Sequence, residues 1–591
     1  KSKELLDLSM KKLNIFLSVL IAFSLNAQEN IKYQKPSDEI LNLVEFDRPP
    51  SVLYDDEKNY MVFLYRNNYK SISDLSEKEL RLGGLRINPK TNIGSRVTYY
   101  NNVKVKNLKD KKGQTEQVIG IPENAKLTNF SWSPDQTKIA LTNTTSEGVE
   151  LWLLTLKTGY VTKLTAPELN ANIGSAITWN TDSQLMFVKM LSPNKQPLID
   201  TKSVVPNGPT VSTNFGAKAQ NRTYQDLLKN KFDEHNFEQL STSTIFKVSI
   251  NGESEKWLDE AMYRGISLSP DGKYVMVTQL KKPFSYLVTY SRFPSQTDIY
   301  TNKGELVTNL LDTPLIEELP KGRMSTRTGK RSYSWRPDQP STLIYVQALD
   351  QGDPAIKTEY RDEVFEIAAP FNGEGKSLVK TINRFSGIDW GTENLAIAYD
   401  YWWDTRNRKA YAFNPSNPES KPKTIYDRNY QDVYNDPGSF LKSRNSFNRS
   451  VLQIYKGNAF LRGNGFTKEG QFPFIDKINT TSFEKTRVYQ SKYTNKVESI
   501  QDFDPVKNEI IVRIESPTEF PNYYSKKTNN RRLNQITNFE NPFLELQNVK
   551  KEVISYKRDD GLELSGVLYL PLGYDEEKKE KMPMILWAYP R

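Results

Sequence analysis

A short phrase that recurs along the chain strongly limits what the chain can fold into. In each copy an aromatic or apolar pair precedes a polar turn that contains Asp, and a run of alternating strand formers follows. Six copies occur, at residues 130–135, 177–182, 266–271, 333–338, 387–390 and 502–504. Pro at the second turn position with Asp beside it, as in several copies, is typical of a tight β-turn between two strands. The pattern predicts an all-β fold built from repeated units.

The spacing of the copies indicates a β-propeller. The turn residues Asp135, Asp182, Asp271 and Asp338 are separated by 47, 89 and 67 residues, and about three more units fit before the last copy. Periods of about 40 to 60 residues are typical of blades with four short strands, whereas a string of β-sandwiches would repeat about every 100 residues. We expect seven blades, with room for an eighth, in a domain that spans residues 28–545.

The widest spacing is best explained by an insertion at residues 197–236 rather than by a further blade. This segment is rich in Pro and Gly at first, and its pattern from Tyr224 to Phe232 predicts a helix. A helical insertion in a β assembly more often has a specific role than a plain connecting loop does. The insertion is therefore the first place to look for binding residues.

Composition excludes several kinds of site. The 591 residues include no Cys and a single His, His235, so disulfides, thiolate metal sites, cysteine nucleophiles and a histidine-rich metal centre are all excluded. We expect no metal or organic cofactor. The net charge of +10 is small for this length and accompanies no nucleic-acid-binding motif, so we expect no nucleic-acid partner.

The first 27 residues predict an export signal. We take Met10 as the natural start and residues 1–9 as an upstream extension of the reading frame. Two lysines then precede an apolar stretch at 13–23, which is too short to span a membrane, and a small residue ends the signal before Gln28. We expect an exported, soluble protein that is periplasmic or extracellular, with no stable membrane insertion.

The residue pattern of the sequence changes at residue 546. Two strand patterns flank an Asp-Gly turn at Asp560, and residues 584–588 are apolar throughout, which is typical of a strand buried on both faces of a sheet. Such a strand needs neighbours and covering helices that the remaining residues do not supply. We expect residues 546–591 to be the truncated start of a second domain.

Several phrases together resemble a known family. The propeller followed by KRDDGLELSGVLYLP and PMILWAYP resembles the prolyl oligopeptidase group of serine peptidases, in which a propeller accompanies an α/β-hydrolase domain. KAQNRTYQDLLKN, EYRDEVFEIAAPF and DRNYQDVYNDPG are similar to the glutamyl endopeptidases of chloroplasts and their bacterial relatives. The resemblance runs from about Tyr33 to Arg591. It implies a secreted serine endopeptidase that cleaves peptides after Glu with a Ser-Asp-His triad.

Most of the catalytic residues that the resemblance implies are missing from the sequence. A hydrolase of this fold carries its nucleophile in a G-x-S-x-G elbow followed by Asp and His, and the sequence has no such elbow. His235 lies upstream of the position that the elbow would occupy, which is the wrong order for this fold, so we expect an ordinary surface histidine. Because the triad is absent, we expect the chain to be inactive by itself. The resemblance places Tyr589 where its hydroxyl would donate to the oxyanion, although packing at a sheet edge is the alternative.

Three residues of the insertion are candidates for substrate binding. Arg222 would hold a Glu carboxylate, because a guanidinium matches a carboxylate with two parallel hydrogen bonds. Asp233 and Glu234 would hold a free peptide amino terminus if they faced the cavity, which would give the specificity of a dipeptidyl peptidase. The alternative for all three is an ordinary solvated surface.

Two classes of function stay open at this level. The first is a secreted serine peptidase, represented by a propeller that admits unfolded peptides, acidic ones among them, and by the first strands of its hydrolase domain. The second is a free-standing exported propeller that binds a protein or a saccharide without catalysis. Residues 546–591 favour the first, since a binding propeller has no use for an unfinished hydrolase sheet.

Overall fold

The protein is described by a computed structural model. It describes residues 34–110, 113–200, 203–205, 208–209, 211, 223–578 and 580–588. The chain divides into two compact units, Lys1–Asp47 and Arg48–Arg591, and the described part of the first contains one helix, α1 (Asp38–Val44). The predicted export signal at 1–27 lies outside the described residues. Across the described ranges, no helix is long and apolar enough to cross a membrane.

The second unit contains a β-propeller, which confirms the predicted fold class. Its strands form eight antiparallel blades, of which seven have four strands and blade 7 has five. Blades 3 and 4 share one long strand, Ser254–Leu268, whose first half pairs with the strand before it and whose second half pairs with the strand after it. First strands of several blades line the central cavity, so the chain runs outward within a blade. The count is eight, where the spacing predicted seven with room for an eighth.

Blades 1 to 4 extend from residue 51 to residue 313, and blade 1 carries an insertion of one short helix and three short strands. The elements in chain order are β1 (Ser51–Tyr54), β2 (Tyr60–Tyr65), α2 (Ile72–Ser76), β3 (Leu80–Leu82), β4 (Leu85–Asn88), β5 (Ile93–Gly94), β6 (Asn102–Asn107), β7 (Glu116–Gln117), β8 (Leu127–Trp132), β9 (Lys138–Thr144), β10 (Val149–Thr155), β11 (Tyr160–Lys163), β12 (Ile177–Trp179), β13 (Leu185–Leu191), α3 (Lys231–Ser241), β14 (Ser243–Ser249), β15 (Ser254–Leu268), β16 (Tyr274–Leu280), β17 (Ser295–Thr301) and β18 (Leu306–Thr313).

Blades 5 to 8 extend to residue 535, and a separate two-stranded hairpin follows them. The strands in chain order are β19 (Arg331–Trp335), β20 (Thr342–Ala348), β21 (Asp362–Ala368), β22 (Lys376–Thr381), β23 (Arg384–Thr392), β24 (Leu395–Trp402), β25 (Asn407–Phe413), β26 (Lys423–Asn429), β27 (Ser439–Phe440), β28 (Lys442–Arg444), β29 (Ser450–Leu452), β30 (Ile454–Tyr455), β31 (Asn458–Gly463), β32 (Phe466–Thr467), β33 (Gly470–Gln471), β34 (Phe474–Asn479), β35 (Lys485–Gln490), β36 (Val497–Asp504), β37 (Glu509–Glu515), β38 (Asn522–Lys527), β39 (Asn534–Gln535), β40 (Lys551–Lys557) and β41 (Glu563–Tyr569).

The recurring phrase marks the innermost strand of a blade and the turn that follows it. In blade 2 the Ser133 hydroxyl donates to Asp135 Oδ1 at 2.6 Å, and the Thr137 backbone N–H donates to the same oxygen at 3.1 Å. Ser269 and Asp271 repeat the hydroxyl bond in blade 4 at 2.7 Å. The six copies fall in blades 2, 3, 4, 5, 6 and 8. Blades 1 and 7 lack the phrase, which is why the spacing argument undercounted.

Neighbouring blades are held together by apolar clusters. Seven such clusters join consecutive blades from blade 1 to blade 8. The ring then closes: Phe63 of blade 1 packs edge-on against Phe539, with ring centroids 5.9 Å apart, and Lys106 Nζ donates to the Ile536 carbonyl at 2.8 Å. Closure joins the first blade to the last, so neither terminal blade presents an uncovered face.

The two ends of the ring differ. Because every blade has the same antiparallel order, turns between first and second strands lie at one end, and connections between second and third strands lie at the other. We call these the turn end and the insertion end. The insertion end carries α3 of blade 3 and the β3–β5 strands of blade 1, and fourth strands also finish there.

The helix of the insertion begins seven residues later than predicted, at Lys231 instead of Tyr224. Asp226 has a φ of 59°, which a right-handed helix does not allow, and its carboxylate accepts a 2.6 Å bond from Arg86 Nε. The helix starts where the Asn230 side chain accepts the Asp233 backbone N–H at 2.9 Å. A tertiary ion pair therefore overrides the local helical pattern at 224–230.

The residues after blade 8 differ from the prediction at one point. Strands β40 and β41 form an isolated, mostly exposed hairpin. The apolar stretch at 584–588 forms no strand, and Ile585 and Trp587 are 95% and 87% exposed. The prediction of a strand buried on both faces is wrong for this chain, because no described strand lies beside it to supply partners.

Candidate functional site

A cavity lies at the centre of the ring in the described structure. Its volume is about 710 Å³, within the range of small-molecule and peptide sites. Innermost strands of blades 3 to 6 form the walls, and aromatic side chains alternate there with Ser and Gly. The aromatic lining residues are Trp179, Tyr333, Trp335, Phe385 and Trp390.

Two of these tryptophans also connect blades. Trp179 Nε1 donates to the Ser131 carbonyl of the preceding blade at 3.0 Å, and Trp335 Nε1 donates to the Ser267 carbonyl at 3.1 Å. A buried indole N–H needs such a partner, so the ring position of each tryptophan is fixed by the neighbouring blade. The cavity wall is consequently a set of pre-positioned aromatic surfaces.

A hairpin of blade 7 extends across the turn end of the cavity. Its strands β28 and β29 follow the innermost strand of the blade, and the loop between them covers residues 445–449. Bonds from this crossing hairpin reach three other blades. Arg444 Nε donates to Asp56 Oδ2 in blade 1 at 2.5 Å. Asn445 Nδ2 donates to the Pro337 carbonyl in blade 5 at 2.8 Å. Arg449 Nη2 donates to the Leu268 and Ser269 carbonyls in blade 4 at 3.0 and 3.2 Å.

The structure gives both candidate carboxylates of the insertion a local partner. Asp233 accepts the Lys229 backbone N–H at 2.9 Å just before the helix starts, and burial raises its pKa. Glu234 accepts the Tyr286 hydroxyl at 2.6 Å and pairs with Lys231 at 2.9 Å. These contacts give both side chains a place in the packing of α3. Their role in holding a peptide amino terminus stays a prediction.

Three other residues singled out in the sequence are His235, Arg222 and Tyr589. His235 Nε2 lies 3.0 Å from the Pro197 carbonyl, which fits an ordinary structural histidine. Arg222 and Tyr589 lie outside the described residues. Within the described ranges, no group of three or more acidic or imidazole side chains could hold a metal ion.

Sequence reasoning missed a buried ion network between blades 5 and 6. Arg384 donates to Asp350 through Nη1 and Nη2, at 2.9 and 2.8 Å, and to Asp362 at 3.0 Å. Both carboxylates are 0% exposed. Burial alone would raise the pKa of Asp350, but hydrogen bonds from Arg384 and Arg361 outweigh it and hold the pKa below its ordinary value. The partners are 22 and 34 residues from Arg384 in sequence, so no local motif reveals them.

A buried lysine in blade 3 was also missed. Lys189 is 2% exposed and its Nζ donates to the Ile173 carbonyl. Burial lowers its pKa to about 7. Among the described residues no carboxylate forms an ion pair with it. The only sequence signal was a single Lys in the otherwise apolar strand LMFVKML.

Comparisons with known proteins agree with the sequence resemblance. No family model matches the chain. A protein named probable glutamyl endopeptidase, chloroplastic, from Oryza sativa subsp. japonica is 33% identical over 586 residues, covering 94% of this chain and 62% of its own length. One of the same name from Arabidopsis thaliana is 31% identical, with 94% and 61% covered. The chain thus spans about three fifths of the length of these curated relatives.

Solved structures that align with the chain include two peptidases. Dipeptidyl peptidase 4 of Porphyromonas gingivalis aligns with a TM-score of 0.45 and 9% identity, covering 92% of this chain and 68% of that one. The acylaminoacyl peptidase of Pyrococcus horikoshii aligns with a TM-score of 0.39 and 14% identity, covering 90% and 58%. The resemblance carried by the sequence phrases is confirmed by the curated relatives: over 94% of its length the chain is a homologue of two proteins named probable glutamyl endopeptidase, chloroplastic.

Proposed function

We propose that the chain is the propeller and the first hydrolase strands of an exported serine peptidase that cleaves peptides after Glu. The observation that carries the proposal is the 33% identity that extends over 94% of the chain, across the propeller and into the residues beyond it. In this assignment the nucleophilic Ser, the Asp and the His belong to a hydrolase domain, and this chain by itself is inactive. The propeller restricts access, so that unfolded peptides enter and folded proteins do not.

The residues after blade 8 support the position of that domain. Fourth strands finish at the insertion end, so β40 and β41 follow from that end of the ring. Their apolar side chains are exposed, as are those of the stretch that follows. The most exposed are Val553, Val567, Met584, Ile585, Leu586 and Trp587. Further strands of a hydrolase sheet would cover such side chains and remove their apolar surface from water.

The proposal has a direct test in the gene. Reading every frame beyond codon 591 should show G-x-S-x-G followed by Asp and His. The protein encoded by the joined frame should cleave a fluorogenic peptide with Glu before the scissile bond at least tenfold faster than its Gln counterpart. Replacing the elbow Ser with Ala should abolish cleavage. A genuine stop codon with no elbow in any frame would favour the second function, a binding propeller.

The amino-terminal specificity has its own test in the same protein. If Asp233 and Glu234 hold a free amino terminus, acetylation of a peptide substrate should slow its cleavage strongly, and Glu234→Gln should remove the difference. Equal rates on free and acetylated peptides would leave an endopeptidase and end the dipeptidyl peptidase alternative. Tyr286→Phe should remove one of the two partners of the Glu234 carboxylate, Lys231 being the other, without changing its charge.

A further inference from the structure

The crossing hairpin places one charged side chain in the central cavity. Among the described residues that line the cavity, Arg449 alone is charged, and the others are aromatic, aliphatic or small polar residues. It lies at the turn end, beside the turn residues Pro270 and Pro337. The cavity therefore combines apolar walls with a single cation at the end that the hairpin crosses.

The guanidinium of Arg449 has donors to spare. Its Nη2 is bonded to the two carbonyls of blade 4, but Nε and Nη1 bond to no residue in the described part of the chain. No carboxylate there forms an ion pair with it. Burial, and then the charge of Arg444, lower its pKa, which is the direction expected for a cation without a counterion. Arg stays charged at neutral pH and cannot escape by losing its proton.

Arg384 is a guanidinium of the same chain whose charge is balanced by carboxylates of the chain, and it differs from Arg449 in this respect. That side chain meets two buried carboxylates and donates through all three of its nitrogens. Arg449 meets carbonyl oxygens only. A half-buried guanidinium among aromatic side chains favours an anion that supplies the missing negative charge, and a carboxylate fits its planar donors best.

The cavity has room for an extended peptide that ends on this cation. From Ser332 to Pro337 the wall runs along six residues of strand and turn, and the five steps between them span about 16 Å at the usual rise of a strand. Aromatic walls accept side chains of a peptide with little polar discrimination. A bound peptide need not pair with the free edge of an innermost strand, because Ser and Gly residues of these strands also face the cavity.

We propose that the central cavity is a binding site for a peptide carboxylate, with Arg449 of the crossing hairpin as the residue that holds it. The site goes beyond the proposed peptidase function, because it binds without hydrolysis and lies within the propeller itself. The carboxylate is either the terminal one of a peptide or that of an acidic side chain. Both sources share the same chemistry, and peptides that carry only one of the two carboxylates distinguish them.

The test is calorimetric titration of the 591-residue chain with three acetylated peptides of four alanines and a final residue. The first ends in glutamine amide and has no carboxylate. The second ends in glutamine with a free terminal carboxylate, and the third ends in glutamate amide. We expect at least one carboxylate peptide to bind at least tenfold more tightly than the amide peptide, as one charge-assisted hydrogen bond gives. The tighter of the two identifies the source.

Variants assign the effect to Arg449. Arg449→Gln should reduce the carboxylate advantage to less than twofold, and Arg449→Lys should retain part of it because the charge remains without the planar fork. Arg444→Gln is the matched control, since it changes the same hairpin but does not line the cavity, and the advantage should persist. Equal affinity of all three peptides, absence of binding, or equal losses in the Arg444 and Arg449 variants would overturn the proposal.

Discussion

The junction of blades 5 and 6 and the interior of blade 3 bury positive charge in opposite ways. At the junction, Arg384 is surrounded by Asp350 and Asp362 and stays ionised, with its pKa raised by those partners against the effect of burial. In blade 3, Lys189 has only a carbonyl partner, and burial lowers its pKa to about 7. The difference follows from chemistry: Lys can lose its proton when it is buried, whereas Arg keeps its charge and is stabilised by a counterion.

The comparison extends to the cavity. Arg449 has neither of the two solutions, since it cannot lose its proton and no described carboxylate faces it. Among the described residues that line the cavity it is the one cation, and a bound peptide carboxylate would supply its counterion. Substitutions at Arg384 and Lys189, at a neutral junction between blades and in the crossing hairpin should have progressively smaller effects.

The largest effect is expected at the junction. Arg384→Leu leaves Asp350 and Asp362 buried with less compensation, which costs about 3 to 5 kcal/mol of unfolding free energy. Chemical denaturation followed by circular dichroism measures it. Arg81→Leu is the control, because that exposed side chain pairs with Glu79 at the surface and its loss should cost less than about 1 kcal/mol. Similar losses in both variants would contradict a structural role for the network.

The second effect is a change in pH dependence. The folded pKa of Lys189 lies below its ordinary value of 10.5, so the unfolded chain binds more protons between about pH 7 and pH 10. Stability should therefore rise with pH in this window, by up to about 1.4 kcal/mol per pH unit for one proton. Lys189→Met should flatten this contribution, while the exposed control Lys256→Met should keep it. Parallel stability curves for Lys189→Met and the unmodified chain would refute the depressed pKa.

A smaller loss is expected where the junction between blades is neutral. Trp335→Phe removes the indole N–H bond to the Ser267 carbonyl and leaves that carbonyl without this partner. We expect a loss of about 1 to 2 kcal/mol, less than at the charged junction. Trp587→Phe, at an exposed position, should leave the melting temperature unchanged. A loss at Trp335 as large as that of Arg384→Leu would reverse the ranking of charged and neutral junctions.

The smallest stability effect is expected at the crossing hairpin. Arg444→Gln removes a partly exposed ion pair with Asp56, worth less than about 1 kcal/mol. Amide hydrogen exchange should nevertheless increase within residues 442–452, because one of the contacts across the ring is lost. Asp56→Asn should reproduce the same local increase. Unchanged exchange in both variants would show that the remaining contacts of the hairpin suffice to hold it.

Local patterns in the sequence predicted the parts of the fold that depend on near neighbours. The phrase around Asp135 identified a turn because Ser133 and Thr137, which complete it, are two residues away. The insertion helix was placed too early because Asp226 pairs with Arg86, 140 residues distant. The candidate site followed the same division: the insertion could be located, but the cation in the cavity could not, since Arg449 reads as an ordinary turn residue.

By itself, the sequence determined an all-β ring of repeated blades, the absence of cysteine chemistry and the resemblance to a peptidase family, because strand period, turn residues and composition are local properties. The tertiary structure decided the number of blades, the closure of Phe63 against Phe539, the burial of Lys189 and the position of Arg449. These features depend on which distant segments meet. A ring of eight blades brings together residues more than 400 positions apart, and no local pattern encodes such a meeting.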